Sequence, residues 1–274
     1  MTINCKGNLI DLSSPKVMGI LNITPDSFYD GGRYKNEKDI CNHVEKMLNE
    51  GATFIDVGAY SSRPGATHIT EDEELKRSVP VVELISRNFP EAYISIDTFR
   101  GNVAKANVGA GACIVNDISA GSMDPEMMKT VAELQVPYIM MHMRGTPQNM
   151  QKNMEYEDIL KEMIFYFSEK IAEASHLKIN DLIIDPGFGF GKTLKYNYEI
   201  LKKLELFKML EKPVLIGVSR KSMIGKLLNV PADEALNGTT SLHTVALIKG
   251  GNILRVHDVK EAVECIKITM QLQS

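Results

Sequence analysis

Residues 182–192 read Leu-Ile-Ile-Asp-Pro-Gly-Phe-Gly-Phe-Gly-Lys, an apolar run that delivers an acid and then gives way to glycine. Leu182, Ile183 and Ile184 have the continuous apolar character of a strand buried on both faces, as in a parallel sheet. Asp185 follows at the carboxyl end of that strand. Pro186 has no N–H to give to a ladder, and three alternating glycines let the backbone approach a neighbour closely. The stretch reads as the floor of a site. A tight strand-to-helix turn with a solvated Asp fits it equally well in isolation. A phosphate-binding P-loop does not fit: Gly191-Lys192-Thr193 would need a glycine five positions before Gly191, where Pro186 stands.

The same juxtaposition recurs along the chain. Asp56 in Phe-Ile-Asp-Val, Asp97 in Ile-Ser-Ile-Asp and Asn116-Asp117 in Ile-Val-Asn-Asp each sit where an apolar run ends. Strand-like runs occur at 17–21, 54–57, 93–96, 113–116, 138–142, 182–184, 214–218 and 253–256. Helical spacing separates them, as in Ile40, Val44, Met47 and Leu48, in Met163, Phe167 and Ile171, and in Ile200, Leu201, Leu204 and Phe207. A final helix begins at Val259, and residues 3–12 alternate weakly around Gly7-Asn8, which predicts a small hairpin. Strands alternating with helices, without a composition break or linker, predict an α/β fold: one (β/α)8 TIM barrel over residues 1–274, a single domain with a short N-terminal β-hairpin. A doubly wound open sheet fits less well. Its first strand-to-helix turn should carry G-x-G-x-x-G, and its polar strand ends should cluster at a switch point.

Composition narrows the partners. With 44% apolar and 24% charged residues, the 274-residue chain is an ordinary globular sequence with enough apolar material for a large core. A formal charge of −4 offers no basic excess for nucleic acid, although it leaves room for a local cationic pocket. Cys5, Cys41, Cys113 and Cys265 show no Cys-x-x-Cys spacing, so neither a zinc site nor a disulfide framework is signalled. The N-terminus lacks a basic segment followed by an apolar one, and no apolar run reaches membrane-spanning length. The expectation is a cytoplasmic protein with a small-molecule partner.

In a barrel of this kind the loops after the strands carry the chemistry. After the first strand comes Asn22-Ile-Thr-Pro-Asp-Ser-Phe-Tyr-Asp-Gly-Gly32, rich in hydroxyls and acids, which suits a covering loop. Ser61-Ser-Arg-Pro-Gly65 follows the second, and later loops bring His142 with Arg144, Ser219-Arg-Lys-Ser222 and Arg255-Val-His-Asp258. Each has a bland reading, a surface turn or an ion-paired strand end. Their joint placement on one face points to an active site.

These motifs resemble the signatures of the bacterial dihydropteroate synthases. The resemblance rests on Asn22-Ile-Thr-Pro-Asp-Ser-Phe-x-Asp-Gly-Gly32, Ile96-Asp97-Thr98, Val115-Asn116-Asp117-Ile118, Met141-His142-Met143, Asp185-Pro-Gly-Phe-Gly-Phe-Gly-Lys192, Ser219-Arg220-Lys221-Ser222 and Arg255-Val-His257, in the family's order across the whole chain. It implies a transferase of folate biosynthesis that condenses 6-hydroxymethyl-7,8-dihydropterin diphosphate with 4-aminobenzoate, giving 7,8-dihydropteroate and diphosphate. The pterin's amino-pyrimidinone edge needs acceptors for its N–H groups and donors for its carbonyl, which Asp97, Asn116, Asp185 and Lys221 supply, with Asp185 the principal carboxylate. Arg255 is expected to stack on the ring and reach the diphosphate, in a cradle completed by His257, Ser62 and Asn22. Asp97, Asp185, Lys221 and Arg255 are the expected catalytic set. Mg²⁺ is the expected cofactor, with the amide oxygen of Asn22 as its protein ligand. For the aminobenzoate, Phe190, Pro64 and Phe28 are expected to hold the ring and Ser222 the carboxylate, while Arg63 and Asp30 order the loops. Family resemblance also implies a homodimer through the last helices. Tyr60 and Ser62 depart from the pattern, since many members carry Glu and Thr there. Two alternatives stand beside this reading: a pterin-binding methyltransferase domain that uses methyltetrahydrofolate, and a catalytically silent pterin-binding subunit.

Overall fold

The computed structural model describes residues 1–23, 37–62, 68–151 and 154–272, and the backbone alone at 29–30, 33–34 and 273. Each apolar run forms a strand: β1 (Lys16–Asn22), β2 (Phe54–Gly58), β3 (Tyr93–Asp97), β4 (Ile114–Asp117), β5 (Tyr138–Met141), β6 (Leu182–Asp185), β7 (Leu215–Ile216) and β8 (Ile253–Val256). All pair in parallel in the order β6-β5-β4-β3-β2-β1-β8-β7. A parallel bridge from Ile184 to Val214, with Ile184 N–H donating to the Pro213 carbonyl at 3.0 Å, joins the two ends of that order. The ring is thereby nearly closed, as the alternation predicts, and the open sheet is excluded. Ladders extend one residue beyond the apolar runs at several carboxyl ends, so that Asn22, Gly58, Asp97, Asp117 and Asp185 are themselves strand residues.

Helices fill the crossovers: α1 (Glu37–Asn49), α2 (Glu71–Asn88), α3 (Gly101–Ala110), α4 (Met127–Leu134), α5 (Ile159–His176), α6 (Leu194–Lys202), α7 (Ser222–Leu228), α8 (Leu236–Ile248) and α9 (Val259–Gln273). Their starts are local chemistry. Thr70 and Thr193 accept hydrogen bonds from Glu73 N–H and Tyr196 N–H, two N-caps that meet otherwise unpaired donors. The helical spacing read through Phe207 is broken at Lys203, after which Leu204–Leu210 continues as a 3-10 helix that still buries Leu204 and Phe207. Thr2–Cys5 and Asn8–Asp11 form the expected hairpin. Its turn is Lys6-Gly7, one residue earlier than expected, because a two-residue turn that follows strand twist needs positive φ at both positions, here 53° and 82°.

The hairpin covers the amino end of the barrel. Ile3, Cys5 and Leu12 pack with Met18, Phe54, Ile114, Ile139, Ile183, Leu215 and Ile253, the first inward layers of the strands. Asn4 N–H donates to Asp181 at 2.8 Å and fastens the hairpin to the loop before β6. Among the described residues no helix is long and apolar enough to cross a membrane.

Candidate active site

Toward the carboxyl end several strands carry polar side chains that meet across the barrel mouth. Arg255 on β8 donates from Nε to Asp56 Oδ2 at 2.6 Å and from Nη2 to Asp97 Oδ2 at 2.7 Å. Asn116 on β4 donates to the same Asp56 oxygen at 3.0 Å. One guanidinium thus ties β2, β3 and β8 together, and the Asn amide adds β4. Burial lowers the Arg255 value, but Asp56 and Asp97 outweigh it and hold the guanidinium above its ordinary range. Burial also pushes Asp97 up to about 7, against the pull of Arg255, with Asp56, Glu74 and Asp117 adding to the rise. Asp117, by contrast, faces its own loop. It accepts from Ser119 N–H, Ser119 Oγ, Gly121 N–H and Tyr138 Oη, a saturated carboxylate that shapes the turn after β4.

The opening stretch builds the opposite side of the floor. Asp185 is 6% exposed, and its Oδ1 accepts from Gly187 N–H at 2.7 Å. Burial raises its pKa; Lys221 is the largest opposing influence. Gly187 adopts φ 68°, and a Cβ there would lie 2.2 Å from the His142 carbonyl, so only glycine permits this contact between the turn and the loop after β5. Lys192 reaches back under the turn to the carbonyls of His142, Gly187 and Phe190. Lys221 arrives from the loop after β7. Its ammonium meets the Phe188 carbonyl and stands 4.9 Å from the Phe190 ring centroid. A Cβ built on Gly217 would lie 3.6 Å from Lys221 Nζ and 4.0 Å from Asp185 Oδ2, so cation and carboxylate flank one point of bare backbone. Burial pulls Lys221 down to about 8, with Asp185 opposing the fall.

Above this floor opens a cavity of about 1120 Å³. Its lining includes Asn22, Ser62, Asp97, Phe190, Lys221, Ser222, Arg255 and His257. Asn116, 4% exposed, lies beneath with Asp185. His257 Nδ1 is 3.0 Å from Ser219 Oγ, and Arg220, at φ 53°, holds Asp258 through two 2.8 Å hydrogen bonds, which fixes the chain on either side of Lys221 and His257. Ser222 is the first residue of α7. Of the expected site, Phe28, Arg63 and Pro64 lie outside the described residues, and so does the side chain of Asp30.

Tyr60, the departure from the family pattern, lines the same cavity. Its hydroxyl accepts from Gln148 Nε2 at 2.8 Å and lies 3.1 Å from His68 Nδ1, and its ring meets Phe99 edge-on at 5.0 Å. Arg100 is 3.4 Å from His68 Nε2 and also donates to Glu74, a buried residue in the first turn of α2. A phenol here joins the loops after β2, β3 and β5 into one wall.

The profile of the family described as "Pterin binding enzyme" matches residues 18–257. The dihydropteroate synthase of Escherichia coli strain K12 is 46% identical over 270 residues, covering 98% of this chain and 95% of that one. The chain belongs to the dihydropteroate synthase family. Its backbone agrees with solved members: a Yersinia pestis dihydropteroate synthase with a sulfonamide drug complex superposes with a TM-score of 0.93 at 42% identity, covering 100% of this chain and 99% of that one. A Xanthomonas albilineans dihydropteroate synthase with 4-aminobenzoic acid gives 0.92 at 37%, covering 100% and 98%. As a family member the chain is a transferase of folate synthesis, and the methyltransferase and silent-subunit readings are set aside. Two residues of the site had no role in the sequence reading. Asp56 was visible as an acid at a strand end, yet its two partners stand 60 and 199 positions away. Lys192 was visible as a failed P-loop lysine and as the end of a family motif, with no role attached to it.

Proposed function

We infer that this chain condenses 6-hydroxymethyl-7,8-dihydropterin diphosphate with 4-aminobenzoate. The observation that carries the reading is the pairing of a buried carboxylate, Asp185, with Lys221 across the bare backbone of Gly217. A flat heterocycle laid there meets an acceptor for its amino and ring N–H groups and a donor for its carbonyl. Asp97 and Asn116 complete that edge, and Arg255, whose Nη1 makes no hydrogen bond among the described residues, covers the ring and turns toward the diphosphate. Ser62 and His257 take diphosphate oxygens. In the reaction the bond between the pterin methylene carbon and the diphosphate oxygen breaks, and the aminobenzoate nitrogen bonds to that carbon and loses a proton. Stabilising the leaving anion and the developing cation dominates such a step, so the fixed charges of Arg255, Lys221 and Asp185 carry more of it than any strong base.

Phe190 and Ser222 serve the aminobenzoate, with Phe28, Pro64, Arg63 and Asp30 of the two loops closing over it. Mg²⁺ fits as the metal. Among the described residues no three His, Cys, Asp or Glu side chains form a cage, while Asn22 presents one amide oxygen beside Gly58 at the cavity wall. A hard cation held there would complete its shell with diphosphate oxygens and water, and it supplies charge neutralisation of the leaving group. The homodimer would form through the last helices, where Leu227, Leu228, Val245, Ile248, Ile268 and Leu272 are exposed apolar side chains. The cytoplasm, where the precursors of such a small-molecule condensation are free in solution, is the expected location.

Incubation with both substrates and Mg²⁺ tests the activity. Stoichiometric diphosphate and dihydropteroate are expected; binding of the pterin diphosphate without release of diphosphate on adding 4-aminobenzoate would reduce the chain to a pterin-binding protein.

A further inference from the structure

Lys192 ends the glycine turn and has no part in the chemistry above. The residue is 6% exposed, a depth at which an ammonium is strongly unfavourable unless each N–H is met. Each is met by a backbone carbonyl: His142 at 3.0 Å, Gly187 at 2.9 Å and Phe190 at 2.9 Å. His142 belongs to the loop after β5. Gly187 and Phe190 belong to the turn that leaves Asp185. Among the described residues Lys192 forms no salt bridge, so its whole hydrogen-bonding capacity is spent on joining these two segments.

The segments touch through bare backbone. A Cβ on Gly191 would meet the Met150 carbonyl at 3.2 Å and the Arg144 carbonyl at 3.5 Å, and one on Gly187 would collide with the His142 carbonyl. Three carbonyl oxygens converging on one buried point repel one another, and a cation at that point turns the convergence into an attraction. From α6, Asn197 adds a polar clip, accepting from Gly189 N–H at 2.7 Å and donating to the Lys192 carbonyl at 3.2 Å.

We propose that Lys192 is a positioning residue for the condensation: its ammonium fastens the loop after β5 to the glycine turn, and so fixes Asp185 beneath the pterin and Phe190 beside the aminobenzoate. The inference rests on the reaction assigned above. It has an electrostatic corollary. Asp185 is faced by Lys221, the Gly187 N–H, Arg255 and Lys192, all of which favour its ionised form against burial. Burial pulls Lys192 itself down to about 7, a fall that Asp185 opposes and that Lys221 and Arg144 deepen, so the three carbonyls and Asp185 are what keep its ammonium in place.

The test compares wild type with K192M and K192R across pH. Met keeps the volume but leaves three carbonyls without a donor and Asp185 with one cation fewer. For K192M the expected result is a fall of about 100-fold in kcat/KM for the pterin diphosphate, the scale of a misplacement near 1 Å. Its acid limb should move to higher pH by about half a unit or more, since a supporting charge is gone. K192R, which keeps charge and donors, should hold the wild-type limb. A folded K192M with the limb and kcat/KM of wild type would overturn the proposal, because a lysine needed only for packing lowers the melting temperature without moving an ionisation. Should K192M not fold, K192Q, neutral but with two donors, carries the same comparison. A wild type that releases no diphosphate would instead sink the transferase reading, independently of these variants.

Discussion

The two ends of the barrel are built from the same eight strands and follow opposite rules. At the amino end the hairpin and the strand starts bury Ile3, Leu12, Met18, Phe54, Ile183 and their neighbours in one apolar cluster. Toward the carboxyl end the strands carry Asp56, Asp97, Asn116, Asp185 and Arg255, a crowd of buried polar and charged groups that hydrogen-bond chiefly to one another and to bare backbone. Apolar burial contributes about 25 cal/mol per Å², whereas buried ion pairs roughly offset their own desolvation. The amino end therefore adds net stability to the fold, whereas the ion pairs at the other end add little of their own. This division can be broken by experiment.

The largest expected effect lies at the apolar end. Phe54 is fully buried there, and Phe54→Ala should cost about 3–5 kcal/mol of stability while leaving the KM for both substrates within about twofold. Urea unfolding set beside steady-state kinetics measures both quantities. A KM change on the scale of the stability loss would show that the two ends are coupled. The mirror experiment is Asp185→Asn, which keeps the size and removes the charge. Losing a charge-assisted hydrogen bond should weaken pterin binding by about 2–3 kcal/mol. The melting temperature should not fall, because burial already disfavours the carboxylate. Calorimetric titration and a thermal scan on the same preparation decide it.

The division was unevenly legible in the sequence. The barrel could be read because each buried strand announces itself locally, as Leu182-Ile-Ile or Phe54-Ile, and because a parallel alternation of this length has few ways to close. The polar floor was half legible: acids and amides at strand ends are visible one strand at a time. What a sequence does not display is which of them meet. Arg255 and Asp56 are separated by 199 positions, and no periodicity links them. Lys192 bonds only to carbonyls, which every residue possesses, so nothing in the identity of its partners could have signalled the clamp. Tyr60 was legible as a departure from the family but not as a bridge, since Gln148 lies 88 positions away.

In Lys221 function and stability should respond to pH with opposite signs. Lys221 is held at about 8, below its ordinary 10.5, by burial. As pH rises through about 8 its ammonium is lost, so kcat/KM should fall, because in the role proposed for Lys221 the neutral amine is a poorer donor to the pterin carbonyl. Stability should move the other way. Between about 8 and 10.5 the unfolded chain binds the proton and the folded chain does not, so this group's contribution makes unfolding harder as pH rises. The contribution of Lys221 is the difference between wild type and Lys221→Met across that window. A difference that falls with pH would reverse the sign and remove burial as the cause.

The smallest expected effect lies on the wall. Arg100 can only donate, so the His68 Nε2 that faces it acts as acceptor and the imidazole proton sits on Nδ1. Tyr60 Oη therefore accepts from both His68 and Gln148. Tyr60→Phe keeps the ring against Phe99 but leaves two donors unpaired, a loss of about 1 kcal/mol shared among loops at the edge of the site. On the proposed placement of the aminobenzoate beside the loop after β2, that corresponds to a severalfold rise in the KM for 4-aminobenzoate. Pterin binding measured without aminobenzoate should not change, since the floor of Asp185, Asn116 and Arg255 shares no hydrogen bond with Tyr60. Equal losses for the two ligands would mean that wall and floor move as one body. The contrast would then lie only between the ends of the barrel, not also between the rigid strand ends and the loops above them.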